Sequence, residues 1–117
     1  MDREKIVEYW TSEAHEALDN VRQFISDLNM AGIQVSQAYL FGSLITGLAD
    51  KWSDIDIAVI SPQISDDRFE ERVRLMQIAV TIDDRIEPLP FNPQNFIQED
   101  PIVREILKYG VSMSLLI

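Results

Sequence analysis

Leu40-Phe41-Gly42-Ser43-Leu44-Ile45-Thr46-Gly47-Leu48-Ala49-Asp50-Lys51-Trp52-Ser53-Asp54-Ile55-Asp56-Ile57-Ala58-Val59-Ile60 is the stretch around which the chain is organised. An apolar run ends at Phe41, and a Gly-Ser pair then turns the chain. A short helix or turn follows, interrupted by Gly47, and a second apolar run opens with alternating aspartates. Glycine at a strand exit permits close backbone approach and dihedrals that other residues avoid. The hydroxyl and amide of Ser43 can then face an anion, especially if a helix begins there. Taken alone, the Gly-Ser pair also reads as an ordinary turn.

Asp54 and Asp56 stand two residues apart in a segment with strand character. Strand side chains alternate, so both carboxylates leave one face, roughly 6.5–7 Å apart along the chain. Ile55, Ile57 and Val59 leave the other face for a core. Two carboxylates about 6 Å apart repel by roughly 3 kcal/mol at an effective dielectric near 20. A divalent cation removes that repulsion, and hard oxygen donors favour Mg²⁺ or Mn²⁺. The alternative is a pair of solvent-facing acids on an edge strand. A phosphate-facing turn beside paired carboxylates is the equipment for metal-assisted nucleotidyl transfer, in which metals about 3.5–4 Å apart stabilise the attacking and leaving oxygens.

Elements on either side follow from period and punctuation. Residues 2–10 alternate charges with Ile6, Val7, Tyr9 and Trp10 and predict a short helix. Thr11 or Ser12 caps the next helix. Its apolar positions are Ala14, Ala17, Leu18, Val21, Phe24, Ile25 and Leu28, and Gly32 ends it. A first strand is expected over 33–41, a second over 54–60 and a third over 84–91. Between the last two, residues 66–81 predict a helix with Phe69, Val73, Met76, Ile78 and Val80 among its apolar positions. Pro88 and Pro90 lack ladder donors, so the third strand is expected to be irregular or exposed on that side. Asn92-Pro93 and Asp100-Pro101 each read as a cap followed by proline at the first helical position. The second starts a helix over 101–109 that ends at Gly110, and 111–117 predicts a short edge strand. Strands interleaved with helices indicate an α/β or α+β domain.

The chain has 117 residues, which suits a single domain over 1–117 with one core. It has no cysteine, so disulfides and thiolate chemistry are excluded; this fits a reducing, cytoplasmic setting. No apolar run reaches the roughly 20 residues of a membrane span, and no signal-type segment follows Met1. The net charge is −10. Such a surface repels a phosphate backbone and argues against direct nucleic-acid binding. It suits a protein partner with a basic face, although an acidic balance also serves solubility. Lys51, Arg68 and Arg85 are candidate phosphate contacts, each with a solvated-surface alternative. Trp52 could stack on a base or pack in its loop. His15 is the only histidine, so no histidine-based metal cluster is indicated.

Gly42-Ser43, ten intervening residues and Asp54-Ile55-Asp56 resemble the signature of the minimal nucleotidyltransferases. These belong to the DNA polymerase beta-like nucleotidyltransferase superfamily. Ala38 to Ser43, Ser53 to Val59 and Arg85-Ile86-Glu87-Pro88-Leu89-Pro90-Phe91 carry the similarity, which runs from about residue 33 to 110. The resemblance implies a nucleotidyltransferase fold, a small mixed sheet with helices mainly on one face. It implies that Ser43 contacts the triphosphate of ATP and that Gly42 lets the backbone approach. Asp54, Asp56 and Glu87 become ligands for Mg²⁺ or Mn²⁺, and Glu87 can help deprotonate the attacking hydroxyl. Asp83 and Asp84, the other candidates for the third acid, are expected in the turn before the strand.

The reaction implied is transfer of AMP from ATP to a hydroxyl with release of pyrophosphate. Minimal nucleotidyltransferases of this kind resemble the antitoxin half of a toxin–antitoxin pair. Their partner is a HEPN-domain protein, and a partner tyrosine is the implied site of AMPylation, which would make the chain a protein adenylyltransferase. A non-catalytic module that binds nucleotide or masks its partner is the main alternative. Nucleotidylation of a small molecule such as an antibiotic is a third, with a dimer supplying the missing wall.

Overall fold

The three-dimensional structure, a computed structural model, describes residues 12–46 and 53–115. The expected helix at 2–10, the Thr11 cap, the break at Gly47, Lys51 and Trp52 lie outside those residues. Helix α1 (Ser12–Met30) is built on its apolar stripe. Ala17, Leu18, Val21, Phe24 and Leu28 are buried, one turn above another, and Ile25 is packed beside them. Full burial of side chains such as Phe24 and Leu28 contributes about 1.5–3 kcal/mol each. The helix ends as Gly32 predicts. At φ 90° Gly32 takes the left-handed conformation, its amide donates to the Asn29 carbonyl (3.2 Å), and the Ile33 amide donates to the Leu28 carbonyl (2.9 Å).

Strand β1 (Gln37–Phe41) is shorter than the expected 33–41. The cause is local. The Gln34 amide donates to Gln63 Oε1 (2.9 Å) and the Val35 amide to Asn29 Oδ1 (2.9 Å), so side chains satisfy donors that a ladder would need. One turn of helix, α2 (Ser43–Thr46), follows β1. Strand β2 (Ile55–Ile60) runs antiparallel to β1, from Gln37 opposite Ile60 to Phe41 opposite Asp56. Helix α3 (Arg68–Ala79) then crosses to β3 (Ile86–Phe91), which lies parallel to β2. Helix α4 (Pro101–Tyr109) leads to β4 (Val111–Ser112), antiparallel to β1, and a 3₁₀ turn over Met113–Leu115 replaces the rest of the expected final strand. The mixed sheet has the order β3-β2-β1-β4. Among the described residues no helix is long and apolar enough to cross a membrane.

Strand alternation divides the interior. Leu40, Ile55, Ile57, Val59 and Ile86 face α1 and α3 in the larger core. Ala58, Ile60 and Phe91 face the other way and meet Val103 and Ile106 of α4. Among the described residues the helices therefore lie mainly on one face, with α4 on the other. The prolines of β3 fit its edge position. The Arg85 and Phe91 carbonyls accept from Ile55 and Ser61 amides, so odd-numbered residues bond toward β2. Pro88 and Pro90 fall out of step with them, and their missing donors belong to the free edge.

Two expectations are corrected. In α3 the apolar stripe named from the sequence is mostly the outer one: Phe69 is 80% exposed and Val80 60%, with Val73 and Met76 also open. Leu75 and Ala79 make the buried contact, with Ile78 and Ile82 packed beside them. Apolar residues occupy two faces of this helix, and periodicity alone does not choose between them. A charged group sits on the chosen side: Glu71, 6% exposed, accepts from Arg74 (2.7 Å) and from the Ser65 amide (3.0 Å). Asn92-Pro93 starts only a single turn. Asn92 Oδ1 accepts from the Asn95 amide (2.9 Å), but Phe96 then packs against Tyr39 and Phe91, and the chain leaves the helical path. Asp100-Pro101 does start a helix; Asp100 accepts from the Ile102 amide (3.0 Å).

The turn before β3 is held by Asp83. Its carboxylate accepts two side-chain bonds from Arg85 (3.0 and 2.7 Å) and one from Asn20 of α1 (2.9 Å). Those bonds from Arg85 lower its pKa from 3.8 to about 2. A depressed folded-state value means that the stabilisation is complete above the ordinary carboxylate range and is lost as pH falls toward 2. Asp83→Asn is therefore expected to flatten the acid limb of a stability–pH curve below pH 4, followed by urea unfolding at each pH. The register of α3 is tested the same way at neutral pH. Leu75→Ala should lower stability by about 2–5 kcal/mol, whereas Phe69→Ser should change it by about 0.5 kcal/mol or less.

Candidate active site

The site is a row that crosses three strands. Sheet register sets Phe41 opposite Asp56, and Asp56 opposite Glu87. All three stand on the α4 side of the sheet, at the end where β1 finishes and β2 and β3 begin. The next residues inward on that face, Tyr39, Ala58 and Leu89, already belong to the smaller core. The two carboxylates thus sit at the rim of a packed face, both partly buried, and Asp56 opens to a cleft.

Gly42 comes immediately after this row and meets two demands at once. Its φ of 76° is the left-handed conformation that turns the chain out of β1. Its Cα also lies against the Asp56 side chain, so that an added Cβ would collide with Asp56 Oδ2. Ser43 follows as the first residue of α2, and the Ile45 amide closes the turn on the Gly42 carbonyl (3.1 Å). The Gly-Ser turn and Asp56, more than ten residues apart in the chain, are in this way brought together.

Asp54 lies just ahead of β2, which begins at Ile55 rather than at 54. The Ile55 amide donates to the Arg85 carbonyl (2.8 Å), and Asp54 is exposed in the lead-in. Its charge still reaches the row. Burial raises the pKa of Asp56, the negative charges of Asp54 and Glu87 raise it further, and Arg72 opposes them. Both of the other acids named from the sequence therefore act on Asp56.

Arg72 is a residue that sequence reasoning missed. It reaches from α3 to Glu87, Nη2 to Oε2 2.9 Å. No spacing rule joins those positions; the βαβ crossover does. Arg68 and Arg85 are engaged away from the row. Arg68 bonds Asp100 (3.2 Å) and lies over the Phe91 ring, and Arg85 bonds Asp83. Asp83 and Asp84 are in the turn before β3, as expected.

A cleft of ≈ 420 Å³ opens over the Phe41 and Asp56 end of the row, lined by Phe41, Gly42, Ile45, Asp56, Glu105 and Tyr109. The last two come from α4, and nothing in the sequence linked that helix to Gly42. Their only signal is a four-residue spacing that places both on one helix face.

Among the described residues no three acidic or histidine side chains are already gathered to hold a metal ion. The donor chemistry nevertheless suits a hard divalent cation. The candidate ligands are carboxylates alone, and the repulsion concentrated on Asp56 is what a cation relieves. Asp56 with Asp54 or Glu87 would hold it, Glu87 by sharing or releasing Arg72.

No curated protein matches this chain significantly. Its fold is similar to a crystal structure from Sulfolobus solfataricus, a protein provisionally named a nucleotidyltransferase. The TM-score is 0.60 at 17% identity, over 89% of this chain and 88% of the other. Residues 18–112 match the nucleotidyltransferase domain, a span that takes in β1, the Gly-Ser turn, all three acids and α4. With its turn, carboxylate row and sheet order in that arrangement, this chain belongs to the nucleotidyltransferase domain family.

Proposed function

We propose that this chain transfers AMP from ATP to a hydroxyl group, and that the acceptor is a tyrosine of a HEPN-domain toxin for which the chain serves as antitoxin. The observation that carries the transfer reaction is the position of Asp56, pressed against Gly42 on one side and in register with Glu87 on the other. The protein partner is supported by charge. A net charge of −10 favours a basic protein surface over a polyanionic acceptor.

In this reading Gly42 lets the main chain lie against the triphosphate, and Ser43 contributes its hydroxyl and amide to the phosphate oxygens. The acceptor oxygen attacks the α-phosphorus, a new O–P bond forms, and the bond to the β-phosphate oxygen breaks with its electron pair leaving on pyrophosphate. Glu87, freed from Arg72, receives the proton of the attacking hydroxyl. Asp54, Asp56 and Glu87 would hold Mg²⁺ or Mn²⁺, which when bound would neutralise charge developing on the phosphate oxygens. Arg72 neutralises Glu87 and must give way for Glu87 to take that proton.

One observation favours the non-catalytic reading, in which the chain only binds nucleotide or covers its partner: Glu87 is already engaged by Arg72. Titration of ATP with and without Mg²⁺, followed by transfer of label from α-labelled ATP to a candidate partner, separates the two. The transfer reading expects Mg²⁺-dependent binding and labelling, with labelling lost in Asp56→Asn. Binding without label, and partner inhibition that survives Asp54→Asn and Asp56→Asn, would leave the binding reading.

Asp56 also has a signature that needs no acceptor. Because its folded-state pKa is raised, its ionised form opposes folding at neutral pH and its protonation relieves that opposition. Without metal, Asp56→Asn is expected to melt above wild type at pH 7, with the gap narrowing as pH falls through the raised pKa. Mg²⁺ should raise the melting temperature of wild type and not of the variant. Gly42→Ala, which needs a left-handed alanine and a displaced Asp56, should abolish Mg²⁺-dependent ATP binding; the left-handed backbone alone costs about 1–2 kcal/mol.

A further inference from the structure

The far wall of the cleft is not used by the chemistry above. It consists of Glu105 and Tyr109, four residues apart on α4. The position of this wall is fixed from behind. Val103 and Ile106 are fully buried against the sheet. At the end of the helix Gly110 lies so close to the backbone that an added Cβ would collide with the Ile106 carbonyl and stand 3.2 Å from the Leu40 carbonyl. The last turn of α4 therefore rests on β1, next to the Phe41 row. Tyr109 is 59% exposed, a large aromatic ring left open at the mouth of a cleft. The Lys108 ammonium covers that ring from one side, 5.2 Å from its centroid.

We infer that Tyr109 and Glu105 form the subsite for the base of the nucleotide, with a purine stacked on the Tyr109 ring and its N–H donors received by the Glu105 carboxylate. This rests on the nucleotidyl-transfer reading and adds which end of the substrate goes where. A carboxylate repels phosphate, so the triphosphate belongs at the Gly42 end and not beside Glu105. The walls between the two ends are Phe41 and Ile45, apolar surfaces that suit a flat ring and its ribose. An ionised carboxylate can only accept hydrogen bonds, which matches the amino group of adenine or the N1–H and amino group of guanine. A purine offers more stacking surface to the phenol ring than a pyrimidine, so ATP and GTP should be preferred to UTP.

The test is calorimetric titration of ATP, UTP and inorganic tripolyphosphate, each with Mg²⁺, into wild type, Tyr109→Ala, Tyr109→Phe and Glu105→Gln. Loss of one stacking platform typically weakens binding about tenfold or more. Tyr109→Ala is expected to bind ATP about tenfold more weakly, to lose the preference for ATP over UTP, and to bind tripolyphosphate as wild type does. Tyr109→Phe keeps the ring and should keep ATP affinity, whereas Glu105→Gln should weaken ATP and leave tripolyphosphate unchanged. The inference is overturned if Tyr109→Ala binds ATP like wild type, or if it loses ATP and tripolyphosphate equally. Wild type that binds tripolyphosphate and ATP with the same affinity would remove the base subsite and leave the transfer reading standing. Wild type that binds neither would remove both.

Discussion

A carboxylate at position 56 has room because residue 42 has no side chain. Most of the local architecture depends on this contact. Phe41 and Asp56 are neighbours in the β1–β2 ladder, so the chain must leave β1 directly over the acid. The positive φ of Gly42 provides the direction and its missing Cβ provides the space. The turn that would face the phosphates and the acid that would hold their counter-ion are consequently one packed unit rather than two independent features. A shift of β1 by one residue would place Leu40 over Asp56 and turn the Tyr39 and Phe41 side chains to the other face, because strand side chains alternate with a period of two.

Asp56 stands where like charges meet. Burial, Asp54 and Glu87 all oppose its ionisation, and Arg72 partly offsets them. Such frustration is disfavoured by stability alone, and it is the arrangement that a bound cation would relieve. Arg72 is the one positive charge in the group: its guanidinium on α3 bonds Glu87 and neutralises one of the acids. Helix α3 therefore has two tasks. Its inner side carries the β2–β3 crossover, and one arginine beside its outer stripe reaches the edge strand at Glu87.

The division of the sheet into two faces explains why the site is where it is. On the α1 and α3 side, apolar side chains run the whole length of the strands. On the α4 side the core stops one residue pair short of the strand ends, and the row Phe41–Asp56–Glu87 occupies the remaining space. Helix α4 covers that face, and it ends at Gly110 close to β1. The cleft is the gap left between its last turn and the Gly42–Asp56 contact.

Much of this was legible in the chain itself, and the reason is that its strongest signals are local. Gly32 ending α1, Asp100-Pro101 opening α4, Gly110 closing it, and the alternation of Asp56 with Ile55 and Ile57 all depend on a few neighbouring residues and on backbone geometry. The preference for Glu87 over Asp83 and Asp84 came with the family resemblance, and the latter two do fall in the turn before β3. Tertiary structure decided whatever needs two distant segments at once. The face of α3 that is buried, Leu75 and Ala79 rather than Phe69 and Val80, depends on which sheet surface the crossover reaches, since both faces carry apolar residues at helical spacing. The shortening of β1 came from side chains of Asn29 and Gln63, one before the strand and one after β2. Arg72, Glu105 and Tyr109 joined the site only when packing brought α3 and α4 to the sheet, because side-chain identity fixes what a residue can do and the fold fixes what it can reach.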